Sequence, residues 1–106
     1  MMNLEILYVP GCPNAAVLDQ RLRRAATGQP MELHIAHRVV EDVDRARVTG
    51  MAGSPTLLVD GRDPFAIPGQ APSLSCRLYP REDGGLDGAP SVAVLHEALF
   101  PLAARS

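Results

Sequence analysis

Cys12 is the residue of this 106-residue chain whose type and position most directly indicate chemistry. It follows the apolar run 4–9 and stands directly before Pro13, which fits the first position of a helix because its missing N–H would be unpaired there. A thiol at a helix start lies close to unpaired backbone N–H groups and the positive end of the dipole, and both favour thiolate over thiol. The sequence therefore predicts a nucleophilic cysteine at a strand-to-helix junction. The alternative is a small buried residue without chemistry.

The second cysteine does not stand at the spacing of a dithiol motif. The position three residues after Cys12 is Ala15, so the Cys-x-x-Cys pair is broken and an ordinary dithiol cycle is not expected. Cys76 is in phase with Leu74 and Leu78 on a predicted strand, which favours a buried structural cysteine packed as a small hydrophobe. The alternative is a remote resolving thiol, whose Cα would have to lie within about 7 Å of that of Cys12.

Composition limits the class of protein. An apolar share of 46% and a net charge of −2 are typical of a globular chain, and the length fits a single domain over residues 1–106. The ten basic residues are all arginines and are scattered, so no nucleic-acid partner is expected. No apolar run approaches the ~20 residues of a spanning helix, and the N-terminus has no signal-type pattern. We therefore expect a cytoplasmic protein without a membrane partner, in which the cysteines are reduced.

Hydrophobic periodicity predicts the elements that must position Cys12. Four strands are predicted, over 3–9, 32–40, 55–60 and 73–79. Three helices are predicted, over 13–26, over 41–48, and from 90 or 91 to 102. The order is βαβαββα. It predicts an α/β fold in which the first two strands are parallel, the last two are antiparallel, and helices cover both faces of a four-stranded mixed sheet.

Two separated features of the chain resemble the thioredoxin-like superfamily. These are Cys12 at the first strand-to-helix junction and the segment GSPTLLVDG at 53–61, and both agree with the order of elements. The chain looks most like small bacterial members, some of which carry an alkylmercury-lyase label, and the resemblance covers nearly the whole chain. It implies a thioredoxin-like fold, but it does not fix an activity because one fold hosts many.

The resemblance also implies roles for individual residues. Cys12 matches the family's nucleophilic cysteine, and Pro55 matches its cis-proline, which faces that cysteine. The backbone of Ser54 would then be exposed and would hydrogen-bond an extended thiol substrate. Ala15 stands where the family has its resolving cysteine, so this chain departs from the pattern and leaves resolution to another thiol.

A long loop is predicted over 61–72, with three prolines and two glycines. Loops of this length are more often functional than idle, which favours a lid beside Cys12. In that lid Arg62 would stabilise a thiolate or bind a carboxylate, and Phe65 would add an aromatic contact. The alternative is a solvated connection.

Three functions remain as hypotheses from the sequence. In the first, a thiol–disulfide oxidoreductase-like monothiol protein uses Cys12 to attack a small or protein disulfide, a sulfenic acid or a soft electrophile. Ser54 and Pro55 position the partner, and a glutathione-like thiol or Cys76 resolves the adduct, without a bound cofactor or metal, in a monomer or weak homodimer. The second is a binder of soft metals or organomercurials through Cys12 and Cys76. The third is a scaffold without chemistry that binds partners through its surface.

Overall fold

Helices and short sheets alternate in the computed structural model, which describes residues 1–101. The helices are α1 (Asn14–Ala25), α2 (Val43–Thr49) and α3 (Val92–Leu99). The strands are β1 (Met2–Tyr8), β2 (Leu33–Val39), β3 (Ala52–Ser54), β4 (Thr56–Val59), β5 (Ser73–Cys76), β6 (Tyr79–Pro80) and β7 (Leu86–Asp87). The chain is therefore of mixed α/β class, as the sequence predicted.

The main sheet has the strand order β2-β1-β4, with β1 in the centre. β1 runs parallel to β2 along its whole length, from Met2 opposite Leu33 to Tyr8 opposite Val39. It runs antiparallel to β4. A central strand that is covered on both faces explains why residues 3–9 are aliphatic with little alternation. The predicted parallel pairing of the first two strands is thus observed.

The four-stranded mixed sheet predicted from the sequence is not confirmed within residues 1–101. The chain turns sharply at Asp60 and Gly61, which both have positive φ, and then returns toward the residues that precede Pro55. There β5 pairs in parallel with β3, a three-residue strand that the sequence did not predict, instead of antiparallel with β4. β6 and β7 form a separate antiparallel pair.

One face of the main sheet packs against α1 and α3. The buried positions of α1 are Ala15, Leu18, Leu22 and Ala25, and they recur every three or four residues as an amphipathic helix requires. This larger core contains Leu4, Ile6, Ala15, Leu18, Leu22, Leu57, Leu95 and Leu99. Each fully buried leucine or isoleucine stabilises the fold by roughly 1.5–3 kcal/mol relative to exposure.

The opposite face is covered by α2. The smaller core there consists of Leu7, Val40, Ala46, Met51 and Leu58. α2 is short but has a side-chain cap at its start and a glycine in the left-handed region at its end. Helices therefore lie on both faces of the sheet, as predicted.

α3 is shorter than the helix predicted from the sequence. It ends at Leu99 because Phe100 leaves the helical conformation directly before Pro101. The predicted end at position 102 lies outside the described residues. None of the three described helices has the length and apolar character needed to cross a membrane.

Candidate functional site

Cys12 lies in the turn between β1 and α1, half-buried. Its backbone N–H donates to the Val9 carbonyl oxygen at 3.2 Å, and Gly11 closes the turn with a φ of +75°, which favours glycine. Pro13 occupies the cap position of α1 and provides no side-chain hydrogen bond to the first turn. The N–H groups of the first turn of α1 are therefore not bound by a capping side chain. Cys12 directly precedes this turn.

The Ser54 hydroxyl connects the turn of Cys12 to the segment around Pro55. It accepts a hydrogen bond from the Val9 N–H at 3.1 Å, while the Val9 carbonyl accepts from Cys12. The Ser54–Pro55 peptide bond is cis, as the resemblance implied. The turn that contains Cys12 is thus hydrogen-bonded through Val9 to Ser54, the residue that precedes Pro55.

Every carbonyl oxygen of residues 53–55 accepts a hydrogen bond. The donors are, in order, Thr56 Oγ1 (2.6 Å), the Arg77 backbone N–H (3.1 Å) and Tyr79 Oη (2.5 Å). Ser54 is only 2% exposed. The expectation that its backbone is free for an extended substrate is therefore wrong, because the chain around β5 already occupies it.

Tyr79 acts as a neutral donor in this arrangement. Burial raises the pKa of its phenol, and the nearby Arg77 guanidinium opposes that shift only in part. The guanidinium carbon lies 5.0 Å from the ring centroid. Tyr79 therefore keeps its proton, and with it the hydrogen bond to Pro55, across the physiological pH range.

A buried ion pair lies directly behind this segment. Arg77 Nη1 contacts Asp63 Oδ2 at 2.7 Å, and the two side chains are 7% and 9% exposed. The guanidinium also donates to the Phe65 carbonyl oxygen at 2.7 Å and approaches Thr56 Oγ1 at 3.4 Å. A buried pair is tolerated when its hydrogen-bonding groups are satisfied in this way. Sequence reasoning missed Arg77 because a charged residue was not expected on the inner face of a strand.

Gly53 shows how closely Arg77 packs against the segment. A Cβ atom on Gly53 would lie 2.7 Å from the Arg77 Cβ, and the Gly53 φ of +133° is unfavourable for other residues. The glycine is therefore required both by space and by backbone conformation. This was a signal in the sequence that could have indicated a close approach of another strand.

The prediction of a buried Cys76 is wrong. β5 ends at Cys76, whose side chain is exposed, and the following residues turn Arg77 and Tyr79 inward instead. Leu78, expected to be buried with Cys76, is 59% exposed. The phase is reversed because the buried ion pair and the phenol hydrogen bond occupy the inner positions. Cys76 itself is the strand partner of Ser54.

Phe65 is held in place near Pro55. Its ring packs edge-on against Tyr79, with centroids 5.5 Å apart, and its carbonyl accepts from Arg77. Asp63 is fixed by the same guanidinium. The first half of the predicted lid is thus anchored to the residues that support Pro55.

Arg62 lies far from Cys12. Its backbone exchanges two hydrogen bonds with Val59, which pairs with Leu4 near the start of β1. Cys12 follows Tyr8, at the other end of that strand. The distance from Leu4 to Tyr8 is about 13 Å at the rise of an extended chain. The predicted contact between Arg62 and the thiolate is therefore wrong, because antiparallel β4 carries the loop start away from the thiol.

The segment that enters α3 forms a further wall beside the start of α1. Gly88 approaches so closely that a Cβ atom would lie 2.2 Å from Asn14 Nδ2. Arg21 donates to Asp87 Oδ2 at 3.1 Å and to the carbonyl oxygens of residues 89–90. The Gly88 N–H and, secondarily, Arg21 lower the pKa of Asp87. Sequence reasoning interpreted these residues as a connection only.

Within residues 1–101 no three His, Cys, Asp or Glu side chains are grouped so that they could hold a metal ion. Comparisons of the chain with protein-family models, with curated proteins and with solved structures find no match. Only the geometry of the site therefore bears on the function of the chain.

Proposed function

We propose that this chain is a thioredoxin-like monothiol protein that exchanges thiols with disulfides or soft electrophiles through Cys12. The observation that supports it best is the hydrogen-bonded connection from Cys12 through Val9 to Ser54. It keeps the thiol at an uncapped helix start beside the Ser54–Pro55 segment.

The chemistry requires two exchange steps. The Cys12 thiolate attacks one sulfur of a disulfide, the S–S bond breaks, and the leaving thiolate takes a proton from water. Attack by a second thiol on the mixed disulfide then releases the Cys12 thiolate and gives a new disulfide. Both steps balance without a bound cofactor, and a glutathione-like thiol suffices as the external reductant.

Small disulfides are the substrate class that this site favours. The Ser54 carbonyl accepts from Arg77, so its backbone offers no edge to an extended peptide. The half-buried Cys12 remains approachable by a compact partner. We therefore expect a low-molecular-weight disulfide to react better than a disulfide within a folded protein.

The test uses single-cysteine variants with hydroxyethyl disulfide as substrate and reduced glutathione as reductant. Cys76→Ser, which retains Cys12, is expected to turn over the disulfide above the uncatalysed rate. Cys12→Ser, which retains the exposed Cys76, is the matched control and is expected to be inactive. Equal rates in the two variants would overturn the proposal.

A second candidate is the binding of a soft cation such as Hg²⁺ by two thiolates. Both cysteines are unpaired, and both are linked to Ser54, one through Val9 and the other as its strand partner. Thiolates are the ligands that soft metals prefer. This function predicts one ion per chain, lost when either cysteine becomes serine, and no turnover of disulfides.

A further inference from the structure

β5 pairs with β3, the short strand that directly precedes Pro55. Ala52 pairs with Ser73, Ser54 pairs with Cys76, and the two short strands run in parallel. The Ser73 N–H also donates to the Met51 carbonyl oxygen at 3.2 Å. The return of the chain after the loop 61–72 thus brings its second thiol to the residue that holds the turn of the first.

Two residues, Val9 and Ser54, link the backbones of the two cysteines. Cys12 donates its N–H to Val9, Val9 donates its N–H to the Ser54 hydroxyl, and Ser54 is the strand partner of Cys76. Paired residues of neighbouring strands lie about 5 Å apart. Cys76 is exposed, so its side chain is accessible from solvent.

The strand that presents Cys76 is short and only partly buried. The β3–β5 pair is short, and its register is irregular between Ala52 and Ser54, so few hydrogen bonds resist its opening. Arg77, the next residue, is fixed by the buried ion pair with Asp63. The buried pair therefore holds the residue after Cys76, and the end of β5 stays paired with Ser54.

We infer that Cys76 is the resolving thiol of the site and releases substrate by forming an internal Cys12–Cys76 disulfide. This rests on the proposed exchange at Cys12. An external disulfide RSSR first gives Cys12–S–SR and RS⁻. The Cys76 thiolate then attacks the Cys12 sulfur, the bond to SR breaks, and a second RS⁻ leaves and is protonated. In sum the two protein thiols lose two electrons and two protons, and RSSR becomes two RSH.

The experiment treats reduced protein with oxidised glutathione, quenches the reaction by alkylation and maps the products by mass spectrometry. Wild type is expected to show an internal disulfide and little glutathione adduct. Cys76→Ser is expected to accumulate a stable glutathione adduct on Cys12. The adduct should disappear at least about tenfold faster in wild type, because an intramolecular thiol acts at a high effective concentration.

The matched control moves the thiol by one residue. Ser75→Cys in the Cys76→Ser background keeps an exposed thiol on β5 but directs it to the opposite face of the strand. We expect this variant to retain the glutathione adduct. An internal disulfide formed equally fast from position 75 would contradict a role for the Ser54–Cys76 pairing.

The possible failures are distinguishable. A persistent Cys12 adduct in wild type, at the level of Cys76→Ser, would overturn the resolving role and leave the exchange function intact. Modification of Cys12 in Cys76→Ser that is no faster than modification of Cys76 in Cys12→Ser would overturn the exchange function itself.

Discussion

At the scale of single residues, the position of Cys12 depends on a hydroxyl that is nearly inaccessible to solvent. Ser54 Oγ is the acceptor for Val9 N–H, and the carbonyl of the same serine is occupied by Arg77. Neither group can be replaced by water without opening the segment, because Ser54 is buried. The position of the turn that contains Cys12 is therefore coupled to one polar side chain on another strand.

Ser54→Ala tests this coupling. The substitution leaves the Val9 N–H without its acceptor, which typically costs about 1–3 kcal/mol for a buried donor. We expect the free energy of unfolding, measured in urea, to fall by that amount and alkylation of Cys12 to become slower. Ser75→Ala, which removes an exposed hydroxyl nearby, is the control. Equal stability and equal Cys12 reactivity in the two variants would exclude a positioning role for Ser54.

The sequence indicated the residues that stand in a recognisable motif. It gave no sign of the residues whose role depends on contacts with distant parts of the chain. Cys12 could be found because it follows an apolar run and precedes a proline, and Pro55 could be found only through the resemblance carried by residues 53–61. Arg77 and Tyr79 could not, because each acts on a partner more than ten residues away. The burial of an arginine is decided by whether its partner Asp63 reaches it, and no local pattern shows that.

At the scale of elements, the loop 61–72 is an anchored connection. Asp63 and Phe65 are both held by the Arg77 guanidinium, and Phe65 packs against Tyr79. The loop thereby supports the Ser54–Pro55 segment from behind. The buried ion pair therefore fixes the first half of the loop, which does not fit a lid that opens and closes along its whole length.

The ion pair can be tested with a double-mutant cycle. Asp63→Asn or Arg77→Met alone leaves one buried charge without its partner, and each is expected to cost about 3–5 kcal/mol of unfolding free energy. The double variant removes both charges and should lose clearly less than the sum of the two single effects. Additive losses in urea denaturation would show that the two side chains do not interact.

Gly88→Ala tests the close contact with the start of α1. The new methyl group would collide with Asn14, and we expect a loss of about 1–3 kcal/mol in unfolding free energy, as for other overpacked sites. Adding Asn14→Ala should restore most of the loss. Gly85→Ala is the control, because its methyl group would meet only the mobile end of Arg81. Equal effects of the two glycine substitutions would contradict the contact.

Most helix and strand positions followed from periodicity and the parallel β1–β2 pairing was predicted, whereas the pairing of β5 was not. The predicted elements at 3–9, 13–26 and 32–40 each lie within one or two residues of those observed. β3 has only three residues and β5 four, too few to show a period. Their pairing across the loop depends on the buried side chains around Arg77 and not on local sequence.

At the scale of the whole molecule, Asp19 joins α1 to the outer strand of the sheet. Its carboxylate contacts Arg23 Nε at 2.6 Å on the same helix and His37 Nε2 at 2.7 Å on β2. The hydrogen bond from Arg23, and secondarily that from His37, lowers the pKa of Asp19 against the opposing effect of burial. The chain also carries few aromatic residues, so such polar links between elements contribute to holding the helix on the sheet.

The lowered pKa gives a pH dependence of stability with a definite sign. The Asp19 carboxylate stabilises the folded state at any pH above its ordinary titration range, and that contribution disappears as the pH falls through the lowered value. Asp19→Asn should therefore be less stable than wild type at neutral pH, by up to ~1 kcal/mol for a surface pair. The difference should vanish in strong acid.

The measurement is urea denaturation of wild type and Asp19→Asn from neutral to acidic pH. Asp44→Asn, which removes a highly exposed carboxylate of α2, serves as the control. A difference between wild type and Asp19→Asn that persists unchanged into strong acid would show that it does not arise from the ionised carboxylate.

The central claim is that Cys12 is an activated thiol, and its alkylation rate tests that claim most directly. The rate of reaction with iodoacetamide at pH 7 is measured for Cys12 in Cys76→Ser, for Cys76 in Cys12→Ser, and for free glutathione. The position of Cys12 beside the uncapped first turn of α1 predicts that it reacts at least about tenfold faster than both references. A Cys12 rate equal to that of the exposed Cys76 would contradict the account and leave a protein whose function lies elsewhere on its surface.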